Sequence, residues 1–500
     1  MASLGAYLRL LGAGWTLVRN DALLPQEIDG FYSSGVRGLA GFLRLFASRR
    51  QGRPGERLAR SFEHLGPVAI KLGQFLSTRS DIFGRTFAED LGRLKDRLPP
   101  FPTAQARAEV ERELGRPIAA VFERFDDSVA AASLAQAHDA TLIDGRRVAV
   151  KVLRPGIEAR VAADCAVLDL AGRLLERWAP PARRLEPVQF ARTVIRATEL
   201  ELDLRLEAAG ADELAEVMAA DGYMASPKVV WDGVGKRVLT MEWADGMPLS
   251  DPAALEQPGL DRKALADNLT RAFLSQALDH GVFHADLHEG NLFVAAPARV
   301  FAVDFGIIGR LGVSERRYLA EILWGFLRRD YARVAQVHFD AGYVPAHHSV
   351  SAFAQALRAV GEPVFGRTAN AVAMSRVLTQ LFEITALYEM RLRPELVLLQ
   401  KTMVTVEGVA RGIDVDHNIW AAAEPVVRRW IARELSPVSR VKQLAGEAES
   451  AIRNIARMTA PQAPPAPTPS PPRGGGAAFV WFTLGVAVAG AAFFLARLFG

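Results

Sequence analysis

One cysteine, Cys165, stands in 500 residues, so an intramolecular disulfide is excluded, and no partner at zinc spacing accompanies it. A reducing compartment fits that count, and a buried structural thiol is the expected role. No long basic run with interleaved aromatics occurs. The 60 basic against 56 acidic residues leave a charge of +4, so the pI of 9.3 reflects arginine-rich composition and not a concentrated positive face. Nucleic-acid binding is therefore not indicated. The G-x-G-x-x-G flavin fingerprint and any iron-ligand constellation are missing as well, which leaves direct monooxygenase chemistry without support. Residues 1–20 have an apolar run, but Arg9 and Arg19 interrupt it and no A-x-A cleavage pattern follows. They are read as an amphipathic helix, lying either on a membrane or on the domain.

What is present centres on residues 284–306, HADLHEGNLFVAAPARVFAVDFG. Asp286, Asn291 and Asp304 have the spacing that phosphoryl chemistry requires. A carboxylate must stand near the incoming nucleophile, and an amide oxygen and a second carboxylate must hold the Mg²⁺ that bridges the phosphates. LFVAA and RVFAVDF read as two short strands joined at Pro297, so the candidate ligands sit at the ends of a hairpin.

Upstream, Asp144-Gly145 signals a hairpin turn. Val148, Val150 and Val152 alternate with Ala149, Lys151 and Leu153, which sets Lys151 on the strand face opposite the valines. Such a lysine can meet the α- and β-phosphates of a nucleotide while a helix glutamate holds it. Where a glycine-rich phosphate loop is expected, the chain has Ala130, Ala131, Ala132 and Ser133, and alanine restricts close backbone approach. In residues 199–214, ELELDLRLEAAGADEL, Glu201, Leu204, Glu207 and Ala208 follow helical spacing, with Asp203 and Glu207 four apart on one face. Glu207 is the candidate partner of Lys151, and Glu201 with Asp203 forms a second polar cluster. Met241, Glu242 and Trp243 end a strand that, in a kinase-like fold, would be the linker between lobes whose backbone meets the adenine edge.

Pro67 suits the start of a helix in which Lys71 and Gln74 share a face. Ser314 is the expected cap of a helix with an apolar stripe, and no A-P-E sequence precedes it, so the platform for protein substrates is missing. His347 and His348 are read as solvated loop residues, since adjacent histidines rarely chelate one ion. Residues 459–476, TAPQAPPAPTPSPPRGGG, form an extended linker, and residues 477–496 give twenty uncharged residues. At 1.5 Å per residue those make a helix of about 30 Å, the thickness of a hydrocarbon core. Gly485 and Ala489 are candidates for pairing two such helices into a homodimer.

This set resembles the UbiB family, the ADCK-type atypical kinase-like proteins of ubiquinone biosynthesis. KLGQ with STRSD, AAAS, VAVK, the ELDLRLEA stretch, HADLHEGN, DFG and VEGVARGIDVD stand in the family's order. The resemblance implies an α+β, two-lobed protein-kinase-like fold. Residues 1–100 would be a helical extension carrying the KxGQ motif, 101–245 an N-lobe with a helical insert, 246–458 a helical C-lobe, 459–476 the linker and 477–496 a transmembrane helix. It also implies that the KxGQ helix, with Lys71 and Gln74, meets the acids Glu201 and Asp203. Lys151 and Glu207 would be the lysine-glutamate pair, Asp286 the catalytic aspartate, and Asn291 and Asp304 the Mg²⁺ ligands. ATP or ADP with Mg²⁺ would bind among Ala130 to Ser133, Ala149, Lys151 and the strand end at Met241 to Trp243. The expected activity is that of an atypical kinase or ATPase acting around prenylated quinone precursors in the membrane lipid, in company with other ubiquinone-biosynthetic enzymes. The large domain would be cytoplasmic and the anchor would lie in a bacterial inner membrane. The competing expectation is a nucleotide-sensing scaffold that organises those enzymes without turnover. Leu287 and Glu289 depart from the prolines usual in the family's catalytic loop.

Overall fold

The computed structural model describes residues 4–23, 41–43, 45–47, 51–77, 85–92, 94, 98–178, 186–365, 384, 387–390 and 394–434. The proposed linker and transmembrane helix at 459–496, and most of the STRSD stretch, lie outside them. No helix among the described residues is long and apolar enough to cross a membrane. They divide into two compact units, one within Met1–Ala209 and Lys228–Trp243, the other within Gly210–Pro227 and Ala244–Gly475.

The first unit opens with helices α1 (Leu4–Arg19), α2 (Pro54–Leu65), α3 (Pro67–Ser77), α4 (Arg85–Gly92) and α5 (Thr103–Leu114). Strands β1 (Phe122–Ala131), β2 (Ala135–Leu142), β3 (Arg147–Leu153) and, after three more helices, β4 (Val238–Glu242) form one antiparallel sheet in the order β1-β2-β3-β4. Those helices are α6 (Ile157–Trp178), α7 (Pro187–Leu200) and α8 (Leu204–Asp221), and α8 passes the boundary between the units at Gly210. Val148, Val150 and Val152 are fully buried in one core cluster with Val110 of α5 and Phe122 and Phe125 of β1. The alternation that buries the valines leaves Lys151 partly exposed on the other face. Cys165 on α6 is buried, which pushes its thiol up to about 11.

The stretch expected to run as one helix around Glu201 and Glu207 is broken. Helix α7 stops at Leu200, and the Leu204 N–H goes to the Lys236 carbonyl at 2.9 Å, so α8 starts afresh. Asp203 therefore stands before α8 and does not share a helical face with Glu207.

The second unit carries β5 (Met247–Pro248), α9 (Arg262–Ser275), β6 (Val282–His284), β7 (Leu292–Ala295), β8 (Arg299–Ala302) and β9 (Ile308–Arg310). Strands β7 and β8 pair antiparallel as the expected hairpin, β5 joins β7, and β6 pairs β9. Helices α10 (Val313–Arg328), α11 (Tyr331–Asp340), α12 (Val350–Phe365), α13 (Pro394–Ile413) and α14 (Ile419–Glu434) complete it. The N-cap of α10 is Gly312, so Ser314 lies inside the first turn and does not cap. Phe353, Leu357, Val334 and Ala335 are fully buried where α11 and α12 pack.

His338 of α11 is buried against Phe353 and bonds the Val334 carbonyl through Nδ1 at 2.8 Å. Burial lowers its pKa below 6.5, so the fold favours the neutral ring. Its contribution is complete above pH 6.5 and is lost as pH falls from there toward the lowered folded-state value. The slope is about 1.4 kcal/mol per pH unit. His338→Gln is expected to flatten the thermal midpoint between pH 6.5 and pH 5 relative to wild type; parallel pH profiles of the two proteins would refute this.

Candidate active site

Lys151 is the fifth of the seven residues of β3, paired to Ala137 of β2 and Leu239 of β4. Glu207 lies in the first turn of α8, where a carboxylate also suits the helix dipole. Their charged groups meet at 2.7 Å, with the glutamate side chain 11% exposed and the lysine 27%. The pair fixes a cation on one face of the sheet, over an inner strand.

Ala130 and Ala131 end β1, and Ala132 and Ser133 turn into β2, with the Ala132 N–H on the Ala135 carbonyl at 2.8 Å. Arg154 ties the turn down by donating to the Ala132 carbonyl at 2.7 Å. None of these four residues takes a positive φ, so alanine meets no backbone penalty here. Ala149 and Met241 are register partners across β3 and β4, the Trp243 N–H goes to the Arg147 carbonyl, and the Arg147 guanidinium stacks 3.9 Å over the Trp243 ring. Glu242 faces Arg146 at 3.3 Å.

In the KxGQ helix α3, Lys71 forms an ion pair with Glu201. Phe75 packs edge-on against Phe190 of α7 at 6.5 Å. Gln74 is partly exposed on the same turn. The structure brings only one of the two expected acids to Lys71, because Asp203 is engaged by Arg205 at 2.7 Å, which lowers its pKa. Gly73 sits where a Cβ would come within 2.2 Å of Leu94 Cδ1 and 2.8 Å of Phe62 Cδ2. Gly73→Ala is expected to cost about 1–3 kcal/mol by overpacking, read as a drop in thermal midpoint. An unchanged midpoint would mean that Leu94 yields freely.

In the second unit the buried His284 organises the loop. Its Nδ1 accepts the Asp286 N–H at 3.1 Å, so its Nε2 carries the proton toward the Val303 carbonyl at 3.3 Å. Burial lowers its pKa and keeps the ring neutral, as this bonding requires. The Val303 N–H goes to the Asn291 carbonyl at 2.9 Å, and Asn291 Nδ2 donates to the Asp286 main-chain oxygen at 3.0 Å. Asp286, Asn291 and the residue before Asp304 are thus braced together. Asn291 uses its amide nitrogen inward, which turns its oxygen to the other side.

Asp304 is exposed and has φ +62°, a left-handed conformation that Asp tolerates better than most residues and that concentrates at functional sites. Phe305 is buried and stacks on His284 at 5.1 Å between centroids, so the ring anchors the turn that presents Asp304. For Asp286, burial works to raise the pKa, but His288 and then Lys401 outweigh it and the net shift is downward. His288 Nε2 lies 3.5 Å from Asp286 Oδ2, and that carboxylate raises the imidazole's pKa.

His288 and Lys401 are neighbours of Asp286 that the motif reading did not single out. His288 lies inside the HADLHEGN stretch and was legible by proximity. Lys401 comes from α13, where Thr402 donates to the Ala285 carbonyl at 3.1 Å, and no local pattern marks it. His347 has Glu389 at 3.6 Å, and the ligand atoms of His347, His348 and Glu389 lie within 4.8 Å of one another, with His347 and Glu389 exposed and His348 half-buried. That third group is one the sequence did not suggest.

The candidate metal donors, Asn291 and Asp304, offer oxygen, which fits Mg²⁺ and would not suit a soft metal. Residues 93–338 match the ABC1 atypical kinase-like domain, and residues 357–418 match the UbiB helical domain. The first of these matches places the chain among kinase-like folds. A probable protein kinase UbiB from Marinobacter nauticus is 39% identical over 81% of this chain and 75% of its own length. The protein of the same description from Pseudomonas entomophila is 40% identical over 88% of this chain and 83% of its own. The solved structure of Rv3197 with erythromycin, from Mycobacterium tuberculosis, matches at 22% identity and a TM-score of 0.48, covering 73% of this chain and 93% of that one. At 39% to 40% identity to such relatives across 81% to 88% of its length, the chain belongs to the UbiB family of atypical kinase-like proteins.

Proposed function

We propose that the chain is a membrane-anchored, Mg²⁺- and nucleotide-dependent atypical kinase or ATPase that supports ubiquinone biosynthesis, acting on or around prenylated phenol precursors and not on proteins. Two observations within the separate units support it best: in the first, the pairing of Lys151 with Glu207 at 2.7 Å, and in the second, the braced loop that presents Asp286, Asn291 and Asp304. A bound Mg²⁺-nucleotide would supply the transferable phosphoryl group and neutralise its charge. Lys151, held by Glu207, would meet the α- and β-phosphates, with Ala130 to Ser133 and the Ala149–Met241 strand edge lining the nucleotide. Asn291 and Asp304 would hold the metal through oxygen. Asp286, kept ionised by His288 and Lys401, would accept a hydrogen bond from water or an acceptor hydroxyl and orient it.

The anchor rests on residues 477–496, twenty uncharged residues behind a proline-rich linker. Placement in a bacterial inner membrane, with the folded units cytoplasmic, follows from that reading. A nucleotide-sensing scaffold remains the second reading, favoured by the alanine turn in place of glycines; recruitment of the other biosynthetic enzymes that responds to nucleotide but survives loss of hydrolysis would support it.

The test in the cell is Asp304→Asn in the chromosomal gene, with accumulation of the protein in membranes checked by immunoblot. Ubiquinone in lipid extracts is expected to fall to the level of a strain without the gene. Unchanged quinone at normal protein level would reject the pathway reading.

A further inference from the structure

Helix α1 answers the question its sequence left open, because its two faces do different things. Ala6 and Val18 are buried, Ala6 packs with Leu170 and Leu174 of α6, and Arg9 pairs with Asp164 at 3.0 Å. The helix is therefore fixed to the first unit. Its other face carries Leu4, Leu8, Leu11 and Trp15, at i, i+4, i+7 and i+11, and these are 77%, 62%, 47% and 49% exposed.

That face does not stand alone. Trp15 meets Phe46 at 5.5 Å between ring centroids, Phe46 meets Phe42 at the same distance, and Phe42 and Leu45 are 58% and 78% exposed. Two segments separated in sequence thus build one outward apolar surface, with a tryptophan among its members. A surface of this kind marks an interaction site, since isolated exposed leucines are ordinary but contiguous ones are not.

Charge and tethering indicate the occupant. Residues 1–53 hold seven arginines, no lysine and three acids (Asp21, Glu27 and Asp29), a bias that the chain's 60 to 56 balance does not share. On α1 itself Arg19 is exposed one turn beyond Trp15, and the helix has no acidic residue. An apolar stripe with a tryptophan and a basic flank is the pattern of a helix lying in the headgroup region of an anionic bilayer. The linker at 459–476 is read from its prolines as extended, with a reach on the order of 50–60 Å at about 3.1 Å per residue, so residues 477–496 entering a bilayer would still tether the chain to that surface.

We propose that the outer face of α1, with Phe42, Leu45 and Phe46, is a second membrane contact that lies flat on an anionic lipid surface. It goes beyond the proposed function and needs only that the chain act beside a membrane.

The test uses the full-length chain reconstituted in phosphatidylglycerol-containing vesicles, in a Cys165→Ala background. An environment-sensitive fluorophore is attached in turn after Leu8→Cys, Leu45→Cys, Ile143→Cys and Val488→Cys. Ile143 is a reference, 60% exposed on the same unit, and Val488 reports the anchor. Headgroup-level nitroxide lipids are expected to quench most of the emission at positions 8 and 45 and to leave position 143 unchanged. Absence of quenching at 8 and 45 while 488 responds to deep nitroxides would overturn the proposal, and so would equal quenching at 143. A blue shift at position 8 that depends on protein concentration and not on nitroxide lipid would assign the surface to a second copy of the chain and likewise reject it. Quenching at 8 and 45 with none at 488 would uphold this contact and defeat the anchor instead.

Discussion

Asp286→Asn is expected to lower Mg²⁺-dependent phosphate release by about 10²–10⁴-fold, the range for removing a positioned acid–base group. The substitution is close to isosteric and leaves the bracing in place. His284 bonds the main-chain N–H of residue 286, and Asn291 Nδ2 bonds its main-chain oxygen, so neither bond depends on the carboxylate. The loss would therefore report charge and acceptor capacity and not collapse of the loop. A readout besides activity checks that the change is local. The Asp286 carboxylate is the first cause of the raised His288 pKa, so in the variant that imidazole should titrate lower, toward its ordinary value. The measurement is phosphate release in proteoliposomes with His288 followed by NMR. Equal release by both proteins would reject enzymatic turnover and leave nucleotide sensing as the surviving account.

Arg57→Met is expected to be the most destabilising single change in the first unit. Arg57 is 1% exposed, and its guanidinium faces Asp21 at 3.6 Å and donates to the Asp21 and Gly52 carbonyls at 3.2 Å and 2.9 Å. Asp21 follows the end of α1 in a left-handed conformation, φ +51°, so the arginine both neutralises a buried carboxylate and satisfies two carbonyls, one just past α1 and one just before α2. Removing it breaks a buried ion pair, at a cost of about 3–5 kcal/mol. Thermal or urea unfolding of the full chain measures the loss. Adding Asp21→Asn should recover part of it, because the buried negative charge is then gone. A cost below about 1 kcal/mol for the single change, the range of an exposed pair, would show that solvent reaches the site.

Much of the site was legible because its chemistry is local in the chain. Asp286 and Asn291 are five residues apart, and Asp304 follows across a hairpin whose apolar alternation and Pro297 were readable as strands and turn. Lys151 and Glu207 are 56 residues apart, yet each sits in a pattern with a fixed direction, one in a valine-alternating strand and the other in the opening turn of a helix. The resemblance to the UbiB family supplied the pairing that spacing alone leaves open.

The failures have a common cause. Helical periodicity through Glu201 and Glu207 could not show that the Lys236 carbonyl, far along the chain, would take the Leu204 N–H and break the helix, nor that Arg205 would claim Asp203. Lys401 is brought near Asp286 by the packing of α13, and nothing around it in sequence marks it.

The sequence by itself determined the family, the order of the motifs, the strand faces and the residue types that could serve phosphate and Mg²⁺, because these depend on side-chain period and short spacing. The tertiary structure decided which acid meets Lys71, which groups keep Asp286 ionised, how Arg57 and Asp21 are buried together, and which face of α1 is left outward. Those outcomes depend on what is desolvated and on partners tens or hundreds of residues away, and long-range proximity is not written in any local stretch of chain.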